Sequence, residues 1–148
     1  MRVLLDTNIL LRHVNRADPQ HEVVRLAVRH LTANGWDLCI APQSIFEFWV
    51  VATRPPDVNG LGLDPSRTRQ EVEVLLDTFG LLQDPDDLVQ RWLSLCATHA
   101  VCGRAAHDAR LVTVMLAHGI GCLLTLNPGD FRRYAEVTCL EPAEVGAG

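Results

Sequence analysis

Short apolar runs alternate with segments of helical periodicity along the whole chain. Val3, Leu4 and Leu5 form a run that stops at Asp6, so residues 2–6 read as a short buried strand. Asn8 to Val14 reads as a short helix. Asp18-Pro19 starts a second one, with Pro19 in its first turn and Val23, Leu26, Ala27, His30 and Leu31 recurring at helical spacing. Asn34-Gly35 ends it. The run DLCIAP (37–42) predicts a second strand, and Pro42 opens the helix PQSIFEFWVVAT, which Arg54-Pro55-Pro56 stops. That helix is apolar on nearly every side, which predicts burial almost all round.

Residues 54–66 carry Pro and Gly breaks with little apolar periodicity and read as a loop. Pro65 starts a further helix with Val72, Leu75, Leu76 and Phe79 directed inward. GLLQD is a short strand, and Asp86 to His99 a helix with Leu88, Trp92, Leu95 and Cys96 on one side. GRAAHDARLVTVMLAHG is an apolar helix bounded by Gly103 and Gly119. GCLLT (121–125) is a strand, NPGD a turn and EVTCLEP the last strand. Strands alternating with helices in this way predict an α/β fold, a mostly parallel sheet covered on both faces. The 148 residues suit a single domain, 1–148, without repeats.

Composition changes this picture little: 48% of residues are apolar and 21% charged, as in globular chains. No apolar run approaches the roughly 20 residues of a membrane span, and the first run is too short for a signal peptide. The five Cys include no C-x-x-C pair, and Cys39, Cys122 and Cys139 lie in strand-like runs. They read as core residues of a reducing cytoplasm rather than as disulfides or zinc ligands. The expectation is a cytoplasmic protein without membrane contact. The net charge of −5 rules out bulk phosphate binding, so any nucleic-acid contact has to be local. All 13 basic residues are Arg, and there is no Lys.

Four of the 18 acids stand where acids are costly or unexpected. Asp6 ends a buried strand, Glu47 lies inside SIFEFWVVA, Asp108 shares a helix face with Leu111, Val112 and Met115, and Asp130 follows the CLLT strand across a turn. Each has a plainer alternative: a helix cap for Asp6, an ion pair with Arg54 for Glu47, a place by the helix dipole for Asp108, a turn role for Asp130. Taken together, two acids follow strands and two sit in helices that pack on the same sheet, so one sheet edge can gather all four. Four carboxylates in one pocket stay ionised only if a cation joins them. Oxygen donors without Cys or His indicate a hard metal, Mg²⁺ or Mn²⁺, suited to attack of a metal-activated water on a phosphodiester.

The segments VLLDTNILLR, SIFEFW, AAHDARLVTVMLAHG and LLTLNPGDFRRY, in this order, resemble PIN domains, most of all the VapC-type toxins of bacterial type II toxin–antitoxin pairs. The resemblance covers nearly the whole chain, with 54–68 like a loop insertion. It implies a three-layer α/β/α fold and a Mg²⁺-dependent endoribonuclease. Asp6, Glu47 and Asp108 match family acids, with Asp6 and Asp108 as principal metal ligands. Asn8 and Thr125 match polar positions that steady the site. The fourth position is open: either Asp130 supplies the carboxylate, or Asn127 is a neutral substitute. The resemblance also implies an RNA substrate, a cognate antitoxin and a homodimer. Arg12, Arg16, Arg104, Arg110, Arg132 and Arg133 are the candidate RNA contacts near the proposed edge. Receiver, haloacid-dehalogenase and P-loop readings all need a phosphate-facing Lys, which this chain lacks. A PIN-like module that binds RNA or protein without cutting is the remaining alternative.

Overall fold

The Val3-Leu4-Leu5 run becomes β1 (Arg2–Leu5), the middle strand of a five-stranded parallel sheet, in a computed structural model that describes residues 1–146. The other strands are β2 (Asp37–Ile40), β3 (Gly80–Leu81), β4 (Cys122–Leu124) and β5 (Thr138–Leu140), in the spatial order β3-β2-β1-β4-β5. Val3, Leu4 and Leu5 are all 0% exposed, because a central parallel strand is covered on both faces.

Alternate strand residues serve two separate cores. Val3, Leu5, Leu38, Ile40 and Leu124 pack with α1 (Thr7–Val14), α2 (His21–Ala33), α3 (Pro42–Thr53) and α4 (Pro65–Thr78), through residues such as Ile9, Val24, Phe48 and Leu75. Leu4, Cys39 and Leu123 face the opposite layer of α5 (Leu88–Thr98) and α6 (Ala105–Ala117), where Val112 and Met115 are buried and Leu88, Trp92, Leu95 and Cys96 pack against them. The result is the expected three-layer α/β/α arrangement.

Chain direction then locates a crevice. From β1 the chain moves outward through β2 to β3 with α1–α4 on one face, then returns through α5 and α6 on the other face to β4. β1 and β4 are hydrogen-bonded neighbours, Leu5 opposite Leu124, yet the chain leaves them toward opposite edges. Such a switch point opens a crevice beyond the carboxyl ends of the two strands. Asp6 and Thr125 are the residues that follow those ends.

Three expectations change. Pro19 does not open α2: the Asp18 Oδ1 atom accepts from the Gln20 N–H at 2.8 Å, making a side-chain turn that delays the helix to His21. α3 is not buried all round, since only one of its sides meets the sheet layer; Phe46, Trp49 and Val50 are 61%, 39% and 56% exposed. On α4, Leu75 takes the inward position and Leu76 turns outward to the flank.

Residues 54–63 fold back onto the end of α3. The N–H groups of Leu61 and Leu63 donate to the carbonyls of Val51 and Ala52 at 3.1 and 2.9 Å, and a 3-10 turn spans Pro56–Val58. Gly60 presses so closely on this helix end that a Cβ there would lie 1.8 Å from the Arg54 carbonyl oxygen. Gly60→Ala is therefore expected to cost about 1–3 kcal/mol and several degrees of Tm. Gly129→Ala, which adds a Cβ in open space, leaves Tm nearly unchanged. Thermal melts of the two variants check this, and equal melts would contradict it.

Candidate active site

At the end of β1 the Asp6 N–H donates to the Leu124 carbonyl at 3.0 Å, so backbone pairing with β4 continues into the crevice. The Asp6 side chain is gripped from three directions. Oδ1 accepts from the Thr7 N–H at 2.7 Å, and Oδ2 accepts from the Thr125 hydroxyl at 2.8 Å and from Asn8 Nδ2 at 3.4 Å. Thr125 is fully buried. Asn8 Oδ1 in turn accepts from the Leu126 N–H at 3.2 Å, which stitches the start of α1 to the segment after β4. Asp6 thus also caps α1, so the capping role and the site role fall on one carboxylate.

Glu47 reaches the crevice from α3. Both of its oxygens are held: Oε2 accepts from the Thr7 hydroxyl at 2.7 Å and Oε1 from Gln43 Nε2 at 2.9 Å. The same Gln43 nitrogen donates to the His107 carbonyl at 2.8 Å, so one amide ties α3 to α6. Asp108 stands in the first turn of α6, and Asp130 in the 3-10 turn Pro128–Phe131, whose Phe131 is anchored in the core.

These residues surround one cleft of about 740 Å³. Glu47, Asp108 and Asp130 line it, together with Thr7, His107, Arg54, Arg104 and Arg133. Asp6 lies beneath, close enough to feel Glu47 and Asp130 electrostatically. Burial pushes the Asp6 carboxyl up, against the lowering effect of the Thr125 and Thr7 hydrogen bonds; Glu47 and Asp130 push it further up. Asp108 is pushed up to about 6, first by burial and then by the charges of Asp6, Asp130 and Glu47, with His107 opposing. The four acids named from the sequence are therefore brought together.

Asp130 lines the cleft, whereas Asn127 is exposed outside its lining and donates its N–H to the Thr125 hydroxyl at 3.1 Å. Of the candidate arginines, Arg104 and Arg133 line the cleft. Arg110 does not, because Asp84 draws it into an ion pair at 3.1 Å. Arg12 pairs with Asp18 at 3.6 Å, Arg16 lines a separate groove between α1 and α4, and Arg132 is exposed outside the lining. Sequence reasoning missed Thr7, Gln43 and His107, and offered Arg54 only as an ion-pair partner of Glu47, a pair absent among the described residues although both line the cleft. The spacing of Gln43 and Glu47, one helical turn apart, was the available signal. Neighbouring helix positions diverge, so His107 beside Asp108 carries no sequence signal of its own, yet both line the cleft.

The donor set fits a hard divalent ion. Among the described residues none of the four carboxylates is ion-paired. No three His, Cys, Asp or Glu side chains among them form a ready-made metal cage. Mg²⁺ needs no such cage, since it binds through one or two carboxylates and keeps several waters.

The raised Asp108 carboxyl has a stability consequence. Between pH ~4 and ~6 the folded chain holds a proton that the unfolded chain, with an ordinary carboxyl near 3.9, has released. Stability contributed by this proton falls as pH rises through that window and stays lost above it. In chelator, Asp108→Asn is expected to raise stability at pH 7 by about 1–2 kcal/mol, or several degrees of Tm. The gain should vanish toward pH 4. A gain independent of pH in paired melts would overturn the electrostatic account.

The PIN domain family profile matches residues 3–137 of this chain. Comparison with curated protein sequences finds no match. Among solved structures, a VapBC2 complex from Rickettsia felis bound to a promoter DNA fragment is similar, with a TM-score of 0.72 at 14% identity, covering 95% of this chain and 98% of that one. A toxin–antitoxin complex from Klebsiella pneumoniae gives 0.65 at 22% identity, covering 97% and 99%. The sarcin-ricin-loop-cleaving toxin VapC20 of Mycobacterium tuberculosis gives 0.60 at 16%, covering 82% and 86%. At these identities the structures speak for a shared fold. With a profile match over most of its length and four acids at the β1–β4 switch point, this chain belongs to the PIN domain family.

Proposed function

We propose that the chain is a Mg²⁺-dependent endoribonuclease, the toxin of a toxin–antitoxin pair, that hydrolyses RNA phosphodiester bonds with a metal-activated water. The observation that carries this reading is the convergence of Asp6, Glu47, Asp108 and Asp130 on one cleft with no ion-paired cation among the described residues to neutralise them. Several fold relatives are toxins solved with their antitoxins, and one is a toxin that cleaves the sarcin-ricin loop. They support a cognate antitoxin and an RNA substrate here, and the family resemblance supports a homodimer.

In this mechanism Asp6 and Asp108 would hold the ion, with Glu47 and Asp130 assisting; Mn²⁺ has the same ligand preference. Bound there, Mg²⁺ supplies a more acidic water and neutralises charge on the attacked phosphate. The protein's own work is orientation. Thr125 and Asn8 aim the Asp6 oxygens, and Thr7 and Gln43 fix both oxygens of Glu47. Preset donors of this kind spare the site reorganisation during reaction. Arg104 and Arg133 at the cleft wall bind phosphate oxygens.

A labelled RNA assay tests the reading. Cleavage is expected with Mg²⁺, none with EDTA, and none from Asp6→Asn in a chain that melts no earlier than the parent. Thr125→Val keeps the shape but removes the donor to Asp6, and is expected to cost about 10–100-fold in rate. RNA binding without metal-dependent cleavage would replace the nuclease by a catalytically degenerate binding module.

A further inference from the structure

Arg54 has no part in the mechanism above, although it lines the same cleft. It is the C-cap of α3, seven residues beyond Glu47 and on the same side of that helix. Its backbone is held from both directions. Its N–H donates to the Val51 carbonyl at 3.3 Å, its carbonyl accepts from the Gly62 N–H at 2.9 Å, and Gly60 closes against it without room for a side chain. Its exposure is intermediate, and among the described residues its guanidinium pairs with no acid. By contrast Arg67, Arg69 and Arg91 pair with acids one turn away at 3.0, 3.0 and 2.8 Å. The 54–62 excursion thus fixes the backbone of one arginine at the cleft, its guanidinium without an acid partner among the described residues.

Arg104 and Arg133 reach that cleft from the α6 layer, whereas α3 belongs to the other layer. The geometry points to Arg54 as a positioning residue that grips a backbone phosphate on the α3 wall, opposite Arg104 and Arg133, so that a single RNA strand crosses the acidic floor. A guanidinium suits this, since it offers a planar fork to two phosphate oxygens. The carboxylates at the site outnumber these arginines, so a phosphate is drawn in only where a guanidinium reaches it. Two-sided attachment then sets which phosphodiester lies over the acids. This inference rests on the ribonuclease reading for its substrate class.

The test compares Arg54→Gln, Arg54→Lys and Arg29→Gln, the last an exposed α2 arginine outside the cleft that controls for net charge. Each is assayed against a labelled single-stranded RNA oligonucleotide in Mg²⁺ over a range of NaCl. Loss of one charge-assisted contact is expected to raise KM by about 10-fold or more in Arg54→Gln, with kcat little changed. The slope of log affinity against log salt should become shallower by about 0.7. Arg54→Lys keeps the charge but not the fork, so it retains the slope and recovers part of KM. If Arg54→Gln melts early, the KM rise in Arg54→Lys carries the test. Arg54→Gln matching Arg29→Gln, or losing kcat at unchanged KM, overturns the assignment while leaving the nuclease reading intact. If the parent chain does not cleave, that reading falls, and Kd for the same oligonucleotide in Mg²⁺ decides on Arg54. Tenfold weaker binding by Arg54→Gln upholds it, and absence of binding by the parent overturns it.

Discussion

The site depends on keeping one carboxylate charged in a place that disfavours charge. Asp6 follows Val3, Leu4 and Leu5, which have no exposure to water, and its burial alone would favour the protonated acid. The Thr125 hydroxyl and the Thr7 N–H oppose that tendency. Both donors come from the same two strand ends that create the crevice, so the topology that opens the site also supplies the groups that stabilise its floor. Thr125 can donate because it is itself fixed: its N–H donates to the Leu140 carbonyl at 3.0 Å, which passes the constraint on to β5.

The other acids are handled differently. Glu47 is held by neutral donors at both oxygens, Asp108 keeps a high proton affinity, and Asp130 stays exposed at the cleft wall. None receives an arginine among the described residues, although Arg54, Arg104 and Arg133 are within the same cleft. An internal ion pair would have relieved the repulsion and stabilised the fold. The arrangement instead leaves the negative charge available to a ligand, at a cost borne by the two packed cores.

Much of this was legible in the chain. Short apolar runs located the strands and helical periodicity the helices, because buried parallel strands are apolar on both faces, the helices are apolar on the side they bury, and many of these segments are bounded by Pro, Gly or Asn. The four acids stood out by being set against apolar neighbours. What the pattern could not show was which apolar helix lies on the outside. α3 is rich enough in Phe, Trp and Val to look buried throughout, yet its Phe46–Trp49–Val50 side faces away from the sheet. Nor could it show long-range polar partners. Arg110 lies in sequence next to the acidic cluster, but Asp84, distant in the chain, claims it. Gln43 carries no unusual composition signal, and its contact with the His107 carbonyl exists only once two layers have packed.

That glutamine amide has a mechanical meaning. It spans the gap between helices that lie on opposite faces of the sheet, where no strand runs between them. The spacing of the acids is therefore gauged by the registry of the two layers rather than by either alone. Trp92 acts on that registry from behind, since its indole N–H donates to the Ala106 carbonyl at 2.9 Å, one residue before the carbonyl that Gln43 grips. Side chains far back in the α5–α6 packing thus act as adjusting screws on an aperture they never touch.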